Sequence, residues 1–420
     1  MKKIFPLILF IFSTLIFAQE KKDYVRSSLH MHLVDDFSFE NGDKVLMSYK
    51  KFEFPQNYND HRIDLNKIKL SEFELTDEEK EAAGKKKSLI GGALADAAKG
   101  AVAESTAGLV KVQDNSMVKL QLDKYIKEKK MGHELIKKWF KIPDDGSGSG
   151  LGMVLKRAAM SKSNEMAAIG DASGTGDTEA QYVNIVDNTF VVFTRLNYVS
   201  NAIAAEVIRQ AAYQQAAKVP AMLQKKAYQV ADKIYEKTSE GYSVWTTAWL
   251  YKLIWTPEMY AQLGKLRNDE GMIDMDKFYA MDINLEFLSQ EKATSLVTFS
   301  LKKEDKGRTE QDVFDLSTVR NMDKVLVKLQ KKNEVFKPIF PLRDGFAVAA
   351  GKKEGIEGGE TFEVLETKKG KYNRIGTMKV DGKRVWDNSW TGEDIKPGLT
   401  YFKKGSKKFV PGIHYVRLVK

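Results

Sequence analysis

The chain has 420 residues, with 67 Lys or Arg against 57 Asp or Glu, a formal charge of +10, and no cysteine. The missing cysteine excludes disulfides, thiolate metal centres, a cysteine nucleophile and a lipid-modified cysteine, so a packed core must supply the stability. The basic residues are spread among acids instead of gathering into a dense patch with interleaved aromatics, which argues against nucleic acid and leaves an anionic envelope surface as the partner that the charge favours.

The first eighteen residues, MKKIFPLILFIFSTLIFA, combine two lysines, an apolar run interrupted only by Ser13 and Thr14, and a small residue at Ala18. This is the pattern of a secretory signal peptide cleaved before Gln19, and the run is short for a bilayer span, which needs about 20 residues. The mature chain is therefore expected in the periplasm, at the outer membrane, or secreted.

From Tyr24 to Leu75 the pattern predicts short strands and turns. RSSLHMHLVDDF alternates in part, and Phe37, Phe39, Val45 and Met47 continue the period of two around an Asn41-Gly42 turn signal. Residues 88–110 are dominated by small side chains, with Ala93, Ala97, Ala101 and Ser105 four apart, which predicts a helix with a flat face. Asp96, Lys99 and Glu104 favour a surface helix over a membrane-inserted one. Val118, Leu120 and Leu122 alternate as a strand would, and a short amphipathic helix follows, ending near Trp139 and Phe140. PDDGSGSGLG, residues 143–152, reads as a flexible loop. A helical stretch, a second loop at GDASGTGD and the strand-like NTFVVFTRLNYV come next.

Residues 201–238 carry the longest helical pattern, divided at Pro220. Leu223, Ala227, Val230, Ala231 and Ile234 recur at helical spacing opposite a polar side, so one face is expected to be buried on this chain's own sheet or on another subunit. In GYSVWTTAWLYKLIWTPEMY, Trp245, Trp249, Tyr251, Leu253 and Trp255 share one face of an extended strand. That face is either core or a ligand-stacking surface. DINLEFL and TSLVTFSLKK read as strands, and NMDKVLVKLQKKNEVF as a helix with Val325, Leu326 and Leu329 on one face. Beyond Pro338 and Pro341 the texture changes to short alternating runs punctuated by glycine: FAVAAG, TFEVLET, RIGTMKV and HYVRLV.

The last segment resembles a known module. GKKEGIEGGETFEVLE and GKYNRIGTMKV are similar to the SH3-like β module at the C-terminus of flagellar assembly protein T and related envelope proteins. Gly351, Gly355, Gly359, Phe362, Val364, Ile375, Gly376 and Val380 fall at the matching positions, whereas DGKRVWDNSW departs from the pattern. The resemblance implies assembly or docking without catalysis, and a flagellar role does not carry over. More loosely, RSSLHMHLVDD, YNDHRIDL, KKWF, VDNTFVVF and WLYKLIWT are similar to blocks of a signal-peptide-bearing envelope protein family of Gram-negative bacteria whose activity is not assigned. That resemblance bears on location and architecture and leaves function open.

The chemical constellations are thin. His30-x-His32 on a strand resembles the start of an amidohydrolase metal site, but only His61, His133 and His414 remain to complete one. Asp171, Ser173, Thr175 and Gly176 imitate a calcium loop whose twelfth position is Tyr182 instead of glutamate. Gly-Ser repeats at 146–150 lack the Gly-Lys-Ser/Thr of a phosphate loop. No catalytic residue, metal site or cofactor is assigned. The expectation is an α+β protein: a leader over residues 1–18, a mixed body over 19–336 with a long amphipathic helix, and a small all-β SH3-like module over 337–420. Its expected role is that of an extracytoplasmic structural, assembly or docking component with protein partners or copies of itself. The alternative is a periplasmic or secreted carbohydrate-binding protein or hydrolase whose surface is Trp245, Trp249, Tyr251 and Trp255.

Overall fold

A computed structural model describes residues 27–35, 42–55, 58–60, 67–81, 115–147, 183–297, 307–368, 371–390, 396–403 and 408–419. Helices and sheets both contribute, and the class is α+β. A six-stranded sheet forms the centre of the body, in the order β2-β1-β4-β5-β6 with β3 also on β1. β1 (Ser28–Val34) runs parallel to β2 (Asn59–Asp60), β3 (Lys67–Ile68) and β4 (Thr189–Ser200). β4, β5 (Tyr242–Leu253) and β6 (Leu285–Val297) are antiparallel neighbours.

Both faces of this sheet are covered, which is why NTFVVF reads as an almost unbroken apolar run. Alternate residues of β4 divide between two cores, as the side-chain period of two requires. Val191 and Phe193 face a layer made by α2 (Asn115–Glu128), α3 (Met131–Phe140), α6 (Pro257–Lys265) and α7 (Met275–Tyr279). Phe190 and Val192 face α1 (Gly42–Lys51) and α8 (Glu310–Lys332). α8 starts at a capping box formed by Thr309 and Asp312. Asn321 fastens it to the sheet by donating to the Val244 carbonyl at 2.8 Å and to Thr246 Oγ1 at 2.7 Å. β6 lies at the edge of the sheet, and lysines of α8 reach over it: Lys324 Nζ donates to the Thr294 carbonyl and Lys328 Nζ to that of Lys292. Charged arms of this kind discourage pairing with a further strand.

Two expectations are corrected. Residues 42–51 form α1 instead of continuing a β-rich start: Val45, Ser48 and Tyr49 are buried at helical spacing and Met47 points outward. Val118 and Leu122 lie on α2, where their spacing of four, continued by Ile126, faces the core. The two strand-like runs near residue 290 contribute to one strand, β6. Gly146, at the head of the expected flexible loop, is a fixed turn. It has φ +74°, and its carbonyl accepts from Ile273 N at 3.0 Å. Residues 88–110, the stretch from Gly150 to Gly170 and the GDASGTGD loop lie outside the described residues.

Beyond Phe336 a separate core gathers Phe340, Leu342, Val348, Phe362, Val364, Val380, Phe402 and Val416. It is enclosed by a four-stranded sheet, β10-β9-β12-β7, and a pair, β11-β8. The strands are β7 (Ile339–Pro341), β8 (Ala347–Val348), β9 (Thr361–Lys368), β10 (Lys371–Lys379), β11 (Thr400–Tyr401) and β12 (Tyr415–Leu418). This C-terminal part rests on α8 and its continuation. Lys331 pairs with Glu360 at 3.0 Å, Arg417 with Glu334 at 3.2 Å, and Lys353 with Glu53 at 3.3 Å. Gly355 adopts φ +78° in the turn that faces Val327 of α8.

Candidate functional site

The aromatic strand is built into the core. Trp249 and Tyr251 are sealed between the sheet and the α2–α3 layer, and Trp255 just beyond the end of β5 tilts against Phe140 with ring centroids 5.8 Å apart. The Tyr251 hydroxyl donates to Asp123 Oδ1 at 2.7 Å, and burial followed by the charge of Asp123 pushes its phenol well above the ordinary range. Trp245 is half-buried, opposite Asn197 on β4 and Thr294 on β6. A sugar-stacking platform needs exposed rings, so burial of Trp249, Tyr251 and Trp255 overturns the carbohydrate surface expected at these residues.

The histidines are also interior. His30 and His32 point to the same side of β1, as the strand period requires, and His32 stacks on Phe193 with centroids 5.3 Å apart. No group of three or more His, Cys, Asp or Glu able to hold a metal occurs among the described residues. His133 on α3 meets the Met281 carbonyl through Nε2 at 3.1 Å and lies edge-on to Phe278. Burial lowers its pKa, so it serves as a neutral tie between α3 and the α7 segment.

The surface with the least coverage lies elsewhere, on an excursion between two neighbouring strands. β4 passes directly into α4 (Asn201–Ala216), the chain turns at Pro220, and α5 (Ala221–Thr238) returns to β5. At 1.5 Å per residue these helices are about 24 and 27 Å long. Their root is pinned by buried Asn201, whose Nδ2 donates to the Val297 carbonyl at 3.0 Å and whose Oδ1 accepts from Ser243 Oγ at 2.7 Å. From there α4 and α5 pack on each other, and the sheet meets them where α4 touches β4 and β5.

Polar and aromatic side chains bridge α4 and α5, and part of the outer surface of α5 is apolar. Between the helices, Tyr213 and Tyr228 meet edge to face at 5.0 Å, Asp232 accepts from the Tyr213 hydroxyl, and Arg209 lies 4.2 Å from the ring centre of Tyr235 while pairing with Glu206 at 2.6 Å. Hydrogen bonds from Gln210 and Arg209 hold the Glu206 carboxyl below its usual range. On the outside, Leu223, Val230 and Ile234 are 55%, 50% and 43% exposed, and Met222 at the tip is 94% exposed. These four are all on α5, within thirteen residues, and Ala231 is the residue of the expected apolar face that is buried. The sequence identified an apolar side correctly; of the two coverings expected for it, this chain's own sheet and another subunit, the sheet does not cover Leu223, Val230 and Ile234.

Comparisons with family models, with curated proteins and with solved structures gave no match. The functional reading therefore rests on the sequence and on this geometry.

Proposed function

We propose that the protein is an extracytoplasmic docking component of the cell envelope that engages its partner through the α4–α5 arm. The observation that carries this reading is the apolar row of α5: Leu223, Val230 and Ile234 stand exposed together on one side of the helix, while partly exposed polar and aromatic groups bridge it to α4 on another. Exposed apolar rows with polar surroundings mark interaction surfaces, because leaving them in water forgoes about 25 cal/mol for each Å² that burial would remove. The leader sequence supports the location, and the absence of cysteine suits a protein stabilised by packed cores instead of disulfides. The C-terminal β part, attached to α8 by charge pairs, supplies a second surface for assembly.

The test is fractionation of cells producing the full chain and a Val230→Asn, Ile234→Asn variant. The wild type is expected in the envelope fraction with the leader removed, and the variant is expected to move to the soluble fraction while remaining folded. Recovery of both as soluble monomers would refute the reading.

A further inference from the structure

The arm carries a charge pattern that identifies what covers it. On α5 every exposed apolar residue of the row is followed three positions later by an exposed lysine: Leu223 by Lys226, Val230 by Lys233, and Ile234 by Lys237. Residues three apart are neighbours on a helix surface, so a row of ammonium groups runs along one flank of the apolar row for the length of the helix. The acids are fewer. Asp232 is turned to α4, where it accepts from Tyr213 and stands 3.9 Å from Arg209, and exposed Glu236, three positions after Lys233, lies beyond the lysines on the side away from the apolar row. Residues 201–238 hold six basic and three acidic side chains, and the single arginine is engaged by Glu206. Lys226, Lys233 and Lys237 make no ion pair among the described residues.

Resting on the docking reading above, we infer that α5 lies along an anionic lipid bilayer, with Leu223, Val230 and Ile234 entering the headgroup boundary and Lys226, Lys233 and Lys237 meeting lipid phosphates. A helix with one apolar face and a lysine-rich polar border binds in the interface plane of a bilayer, and its affinity grows with the anionic lipid content. Met222, almost wholly exposed at the tip, adds apolar surface beside the row near the turn. No helix among the described residues is long and apolar enough to cross a membrane, so the arm lies on the surface. A second copy of this chain fits less well. Two α5 helices meeting antiparallel on their apolar rows would bring their lysine rows to the same side, with three lysines against one exposed carboxylate, Glu236, on each helix, since Asp232 is occupied by Tyr213.

Flotation of the full chain with vesicles tests this, using phosphatidylcholine alone and equal parts phosphatidylcholine and phosphatidylglycerol. The expected result is binding to the mixed vesicles only, weakened by high salt. Replacing Lys226, Lys233 and Lys237 together with Gln should weaken it on the order of 100-fold, from a loss of roughly fivefold per lysine. Lys225→Gln, on the other side of α5, should change it far less. These residues are exposed, so circular dichroism and the urea midpoint should be unaltered. Equal binding to both vesicle types, binding to neither, or indifference to the triple substitution would overturn the lipid assignment. In that event, a dimer broken by Val230→Asn with Ile234→Asn would leave the docking reading standing with a different occupant. Absence of lipid binding and self-association, with the double variant fractionating like the wild type, would refute both.

Discussion

Asp323 offers the sharpest test of how the C-terminal part rests on the body. It lies on α8 beneath the 3₁₀ turn Lys352–Glu354, and its carboxyl is pushed up to about 7 by burial, opposed by Lys353 and reinforced by Glu354 and Glu53. Its ordinary value is 3.8. The folded state therefore keeps a proton that the unfolded chain releases, and stability falls as pH rises through the window between about 4 and 7. Three pKa units correspond to about 4 kcal/mol at 1.36 kcal/mol per unit. Asp323→Asn imitates the protonated side chain and removes this dependence. The variant should match the wild type at pH 4 and exceed its stability by several kcal/mol at pH 8, read from urea denaturation followed by tryptophan fluorescence. A difference between the two proteins that is constant with pH, or a variant less stable at pH 8, would show that Asp323 is not held in this way.

Other outcomes follow from the same packing. Trp249→Ala should cost about 3–5 kcal/mol by opening a cavity, while Trp249→Phe should cost clearly less, because the buried indole N–H has no acceptor among the described residues; chemical denaturation measures both. A Cβ added at Gly355 would fall 2.4 Å from Val327 Cγ1, whereas at Gly412, which shares a left-handed φ, it would meet nothing within 4 Å. Gly355→Ala should therefore lose about 1–3 kcal/mol more than Gly412→Ala in the same assay, and equal losses would refute the contact with α8. Burial should make the His133 imidazole titrate below the ordinary 6.5 in an NMR pH series; the stability it contributes is present above 6.5 and is lost as pH falls through its folded pKa.

The parts of the fold that were legible in the sequence are those where one residue pattern admits one structure. β4 and β5 are rich enough in aromatic and branched residues to read as strands despite their length, and Pro220 divides α4 from α5 at the expected place. α2 was misread because Val118, Leu120 and Leu122 span only five residues, over which a period of two and a helical spacing are hard to separate. Ile126, one turn further on, decides between them, and Leu120 is only half-buried. α1 failed similarly, since Val45 and Met47 imitate alternation while Tyr49 fixes the helical face. The tryptophan face was read with two outcomes open, because strand parity shows that side chains share a side without showing what covers it. α5 presents the converse case. Its apolar face is plain in the sequence, but whether a sheet covers it depends on where residues 201–238 leave and rejoin the body, which is a matter of topology.

If the outer row of α5 is a docking surface, it is occupied in the cell. The most direct measurement places a photo-crosslinking residue at Val230 in one full-length chain and at Glu236, roughly 120° round the helix, in another, and irradiates intact cells producing each. Adducts with an envelope component are expected from position 230 and few from 236. Equal labelling from the two positions, or none from 230, would contradict it.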